Sequence, residues 1–201
     1  RWEPEYRNLI IGSQNVVFSL FKHIPLVYRS LQSEKKKLHE NQRVDEHLAF
    51  KDNVNKVLSN NSYELIIIHW NLPHSPFFYD YKGNTLLAKS MEDNGSVDGY
   101  FGNLEITDRA FSSMRRNLEN VNLWDPSAVI VTADHIWRAS QRFDGKLGTK
   151  VPMMIKPPWS VDGTVVQKKY FTQNTSKLVW GFLTGQLQNS NDVVNLMKDG
   201  D

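Results

Sequence analysis

The residues of this chain that could do chemistry gather where apolar runs end. Ala128-Val-Ile-Val-Thr-Ala-Asp134-His135 sets a carboxylate beside an imidazole at the end of a β-branched run. Both are ligands for a divalent cation such as manganese, magnesium, calcium or zinc. With no Cys in the chain, thiolate ligands and disulfides are excluded. Adjacent side chains on a strand point to opposite faces, so Asp134 and His135 reach one ion only if the backbone leaves strand geometry there. The polar stretch from Arg138 to Lys150 suggests that it does. The same dipeptide also suits a surface turn in which Asp accepts backbone N–H bonds.

A second group follows the run Leu65-Ile-Ile-Ile-His69, where Trp70-Asn-Leu-Pro73-His74-Ser-Pro76 carries another imidazole. Pro73 and Pro76 fix φ and remove donors, so the strand stops and His74 sits in a restrained turn. An imidazole held in this way can bind an anion's oxygen or a metal, or pass a proton to a leaving group. His69 is either part of that site or a half-buried strand residue. A third group is the Gly-rich cationic stretch Gln141 to Lys150. With Arg138, its Arg142, Lys146 and Lys150 offer positive charge to an anionic substrate.

These groups need elements to hold them in place. The continuous run Val129 to Val131 predicts a strand buried on both faces of a mostly parallel sheet flanked by helices, an α/β fold. Val151 to Ile155 predicts a further strand. Apolar spacing predicts helices over residues 45–59, with Leu48, Phe50, Val54 and Val57 on one side, and over 98–120, through Leu104, Ala110, Phe111, Met114 and Leu118. Two last helices, near Ser176 to Leu187 and Asn191 to Met197, are expected to pack on the sheet. Tyr6 to Leu31 is apolar but too broken by Gly12, Lys22, His23 and Pro25 to span a bilayer as one helix. Its Phe18, Leu20, Phe21 and Ile24 suit a core-facing stripe. Residues 83–95 read as a polar rim.

At 201 residues and 40% hydrophobic, the chain can bury a core without staples. Its 24 basic and 22 acidic residues leave a net charge of +2, which gives no pull toward nucleic acid. The run Lys35 to Lys37 reads as a solvated helix end. Trp137 and Trp159 fall in loops near the expected site, to stack on a ligand or to pack on further protein.

Four motifs in order resemble the C-terminal half of sulfatase-like enzymes of the alkaline phosphatase superfamily. They are Leu72-Pro-His74-Ser-Pro76, Gly99-Tyr100-Phe-Gly102 through Asp108, Val129 through His135, and Val151-Pro-Met-Met-Ile-Lys156. The match covers roughly residues 60–160. It implies a metal-dependent hydrolase or transferase acting on sulfate or phosphate esters, with one divalent ion on Asp134 and His135. It implies that His74 contacts the transferred anion or the leaving oxygen, and that Lys146 faces the substrate anion; on their position in the chain, His69 and Arg138 are further candidate substrate-binding residues. Asp108 aligns with a structural aspartate. The resemblance further implies a periplasmic or extracytoplasmic, membrane-attached setting, with any membrane association supplied by absent segments.

Departures from the pattern are specific. Ile136 and Trp137 stand where the family has glycine after the Asp-His pair, at a place of close backbone approach. The strand and helix that bear the family's nucleophile have no counterpart, and Ser13 in Leu9-Ile-Ile-Gly-Ser13 has no acid cluster beside it. The chain, starting Arg1-Trp-Glu-Pro, therefore reads as one domain or a fragment. Residues 1–60 form a mainly helical lead-in, 61–160 a motif-bearing core and 161–201 a closing segment. The alternative is a non-catalytic binding or scaffold domain that kept the fold and lost the chemistry.

Overall fold

Each apolar, β-branched run becomes a strand, but the strands do not assemble as their runs suggest. The computed structural model describes residues 8–12, 43–91, 95–160 and 163–199. Ser13, the stripe Phe18, Leu20, Phe21 and Ile24, and the run Lys35 to Lys37 lie outside the described residues. In chain order the strands are β1 (Asn8–Gly12), β2 (Leu65–His69), β3 (Phe77–Asp80), β4 (Thr85–Met91), β5 (Val129–Thr132) and β6 (Met153–Lys156). The helices are α1 over residues 43–58, then α2 (Val97–Asn120), α3 (Gln141–Asp144), α4 (Thr175–Leu183) and α5 (Ser190–Asp199). They fall into two compact units, Arg1–Asn117 with Trp137–Gly148, and Leu118–Ile136 with Thr149–Asp201.

The mostly parallel sheet is not formed. The described strands make three separate pairs, β1·β2, β3·β4 and β5·β6. Parallel pairing is confined to the short β1·β2 ladder, and the other two pairs are antiparallel. Local connections account for this. The turn 81–84 returns β3 directly into β4, and a link that short permits only an antiparallel neighbour. Asn84 takes φ 52° in that turn, where the left-handed region suits Asn. Its Oδ1 accepts the Tyr79 hydroxyl at 2.6 Å. Part of the polar rim expected over 83–95 is therefore strand β4. Between β5 and β6 the only helix is the four-residue α3, too short for a crossover. With a single partner strand, Val129, Ile130 and Val131 are half-buried and Thr132 is exposed. An apolar run reports burial and says nothing of strand direction.

In the first unit, α2 buries Gly99, Gly102, Asn103, Ile106 and Ala110, one face at helical spacing. That face meets β3, whose Phe77, Phe78 and Tyr79 are all buried. Glycine is needed for the approach: a Cβ at Gly102 would strike the Tyr79 carbonyl oxygen, and one at Gly99 the Phe77 ring. Phe78, Tyr79 and Ile106 form the core, with Val44 and Leu72 against it. The buried face of α1 holds His47, Val54 and Leu58. Leu48, expected on that face, is 43% exposed. Asn117 ties the two helices, its amide donating to the Asn55 carbonyl at 2.7 Å.

The second unit packs α4 and α5 on the β5·β6 pair. Leu178, Leu187, Val193 and Met197 form its core, closed by Ile130, Met153 and Ile155. Leu187 lies beyond the end of α4, which gives way after Leu183 to Gly185 at φ 71°. Asn189 caps α5, its Oδ1 accepting the N–H groups of Asn191 (2.9 Å) and Asp192 (3.1 Å). The Asp192 carboxylate returns to the Asn189 N–H at 3.2 Å, a reciprocal cap. Lys156 clamps the turn before β5, donating to the carbonyls of Trp124, Asp125 and Ser127 at 2.6, 2.9 and 3.0 Å. Burial lowers its pKa.

Candidate functional site

β5 ends at Thr132, and the chain bends at Asp134 and His135, both exposed. Asp134 Oδ1 accepts the His135 N–H at 3.0 Å. The His135 ring lies 2.6 Å through Nδ1 from the Ile136 carbonyl. A carbonyl can only accept, so Nδ1 carries a proton, and in the neutral ring Nε2 is the nitrogen with the lone pair. Nε2 stands 3.9 Å from Asp134 Oδ2. A lone pair on Nε2 and a carboxylate oxygen at that separation are both donors of electron pairs to a cation. The pair thus fits a divalent ion in donor type and in tautomer, with the second nitrogen anchored as metal-binding imidazoles usually have it. It supplies two ligands. Among the described residues no group of three or more His, Cys, Asp or Glu side chains is placed to hold an ion.

His69, His74, Arg138 and Lys146 belong to the first unit, and Asp134 and His135 to the second. His74 is exposed in the turn after β2, and both of that turn's X-Pro bonds, Leu72–Pro73 and Ser75–Pro76, are cis. Its Nδ1 lies 2.5 Å from the Ser75 carbonyl, so this ring too has Nε2 as the nitrogen that takes or gives a proton. The turn is held from α2 by Asn103, which is fully buried. The Asn103 amide donates to the carbonyls of His74 (3.0 Å) and Pro76 (3.4 Å). Its Oδ1 accepts the Phe78 N–H at 3.1 Å. His69 and His74 line one small pocket, of about 40 Å³, together with His47, Phe50, Trp70 and Phe78.

The cationic loop is anchored by aromatic contacts to the start of α2. Trp137 stacks flat on Tyr100, centroids 4.1 Å apart and planes within 4°. Phe143 meets the edge of Phe101 at 5.4 Å. One face of Trp137 is therefore taken by Tyr100, whereas Trp159 is 69% exposed. Arg138, Arg142, Lys146 and Lys150 are all exposed. Lys146 follows the left-handed Gly145 that ends α3. Its N–H bonds to Asp144 Oδ1 at 2.9 Å, which fixes the backbone beneath the ammonium. Asp108 is exposed on α2.

Two residues of this region had no role on sequence grounds, Asn103 and His47. Asn103 is a polar residue in the middle of the apolar face of α2, and that position was the available signal. His47 is 6% exposed, between Trp70 and Phe78 at centroid distances of 5.3 and 5.4 Å. Burial, together with the nearby Lys51 charge, pulls its pKa down to about 4, so the ring is neutral near pH 7.

Compared with known proteins, the chain matches no family model, no curated sequence and no solved structure.

Proposed function

We propose that this chain holds the metal-ligating part of a hydrolase or transferase acting on sulfate or phosphate esters, with the nucleophile supplied from outside the described residues. The observation that carries the reading is the Asp134–His135 pair, in which the anchored Nδ1 leaves Nε2 facing Asp134 Oδ2 at 3.9 Å. One divalent ion, manganese, magnesium, calcium or zinc, suits that donor set and would polarise the ester oxygen when bound. His74, with Nδ1 held on the Ser75 carbonyl, would move a proton at the leaving oxygen through Nε2. Lys146 and Arg138 would supply positive charge to the anion, with His69 as a further substrate-binding residue. Support for the ester substrate comes from the four sequence motifs.

Elemental analysis of the chain, purified without chelator, tests the reading. The expected result is close to one divalent ion per chain, lost in an Asp134→Ala, His135→Ala variant. The second reading, a binding or scaffold domain without an ion, draws on the lack of a third ligand among the described residues. It predicts no metal in either protein, and that outcome would overturn the first reading.

A further inference from the structure

The site proposed above gives no role to Trp137, which opens the cationic loop one residue before Arg138. Ser140 ties it to Lys146: the Ser140 N–H donates to the Trp137 carbonyl at 3.1 Å, and its hydroxyl donates to the Lys146 carbonyl at 3.3 Å. Between them the Arg142 N–H bonds to the Ala139 carbonyl and the Gly145 N–H to the Gln141 carbonyl, both at 2.9 Å. The stretch from Trp137 to Lys146 is therefore a run of linked turns, and displacing one end displaces the other. Its two aromatic anchors land on the start of α2, Trp137 flat on Tyr100 and Phe143 against the edge of Phe101. Arg142 lies over Gly95, where an added Cβ would meet the guanidinium. Tyr100 and Asn103 are three residues apart and so are neighbours on the helix surface. Asn103 holds the His74 turn, so one turn of α2 carries both the imidazole turn and the cationic loop. We propose that Trp137 is a positioning residue for the substrate's oxyanion: stacked on Tyr100, it fixes Arg138 and Lys146 to the same turn of α2 that holds His74, so that these three receive the anion together and without the metal pair.

The physical reason is preorganisation. Arg138, Lys146 and His74 are all exposed, and an exposed charge by itself holds a partner ion weakly. Affinity then depends on how much ordering binding must still do, because long cationic side chains on a loose loop lose their freedom only when the anion arrives. A loop already fixed by aromatic pairing has lost much of that freedom beforehand. The direction of each donor matters as well, since charge-assisted hydrogen bonds to an oxyanion depend on geometry. Both anchors of the loop and the Asn103 clamp lie within the first unit, whereas Asp134 and His135 lie in the second. The proposal rests on the reading that His74, Arg138 and Lys146 meet the substrate anion, and it does not need the ion.

Inorganic phosphate titrated into the 15N-labelled chain, with and without EDTA, tests it. A saturable shift of the amides over residues 137–148 is expected, with the same affinity in both buffers. Trp137→Ala should weaken phosphate binding about tenfold, the order of one charge-assisted hydrogen bond. Trp137→Phe, which keeps a flat ring on Tyr100, should restore it. That rescue separates positioning from a merely structural role, in which Trp137→Ala would lower the unfolding midpoint and leave phosphate affinity where it was. If Trp137→Ala does not fold, Tyr100→Ala removes the other ring of the stack and carries the same expectation. Equal phosphate affinity in the unaltered chain and the alanine variant would overturn the proposal, and so would the absence of any saturable response. A response seen only without EDTA would place the anion on the ion, which overturns this proposal and leaves the metal reading standing. Conversely, a chain that holds no metal and still binds phosphate through the stacked loop would sink the metal reading and support this one.

Discussion

His47 shows how one buried group ties stability to pH. Its pKa falls from 6.5 to about 4 in the folded chain, so as the pH drops the unfolded chain takes the proton first. Above about pH 7 both states are neutral and the residue contributes no pH dependence. Between 6.5 and about 4 the folded state loses stability, by up to about 3 kcal/mol once the shift is complete. Urea denaturation at a series of pH values should show this fall, and His47→Phe should flatten it. Equal slopes in the two proteins would mean that the ring is not held neutral. Neither His47 nor Asn103 was legible as a site residue, because their partners arrive from distant sequence. Asn103, for example, bonds a backbone group 25 residues away. Asp134 and His135 were legible because they are contiguous and end a strand.

α2 approaches β3 closely enough that one added methyl group matters. Alanine is the better helix former by about 1 kcal/mol, so propensity alone would have Gly102→Ala stabilise α2. The new methyl would meet the Tyr79 carbonyl oxygen, a backbone atom that cannot rotate away. Overpacking costs about 1–3 kcal/mol, so net destabilisation is expected, measured as a lower midpoint in thermal or urea unfolding. A higher midpoint would mean that α2 stands off β3. Helix positions were largely legible: spacing predicts helices over 98–120 and 45–59, and the structure has Val97–Asn120 and 43–58. The buried face of α1 was misjudged because it turns on which neighbours it meets, and it faces Trp70 and Phe78 through His47.

At the scale of the whole molecule, each unit has its own buried cluster. Among the described residues no helix is long and apolar enough to cross a membrane. Leu178, with no exposed surface, sits in the second unit's core. Leu178→Ala should destabilise that unit by about 2–5 kcal/mol. Faster hydrogen exchange of the β5 and β6 amides would register the loss, and unchanged exchange would place Leu178 outside the core. By itself the amino-acid sequence determined the four longer helices and the strands β2, β5 and β6, the type of ligand at Asp134 and His135, and the restraint on His74. These depend on local spacing, on proline's fixed φ and on adjacent side chains. Tertiary structure alone decided that the described strands pair in three short ladders, that Asn103 holds the His74 turn, and that His47 is buried. Strand direction, close approach and desolvation depend on which distant segments meet, and a local pattern of apolar and polar residues does not specify that.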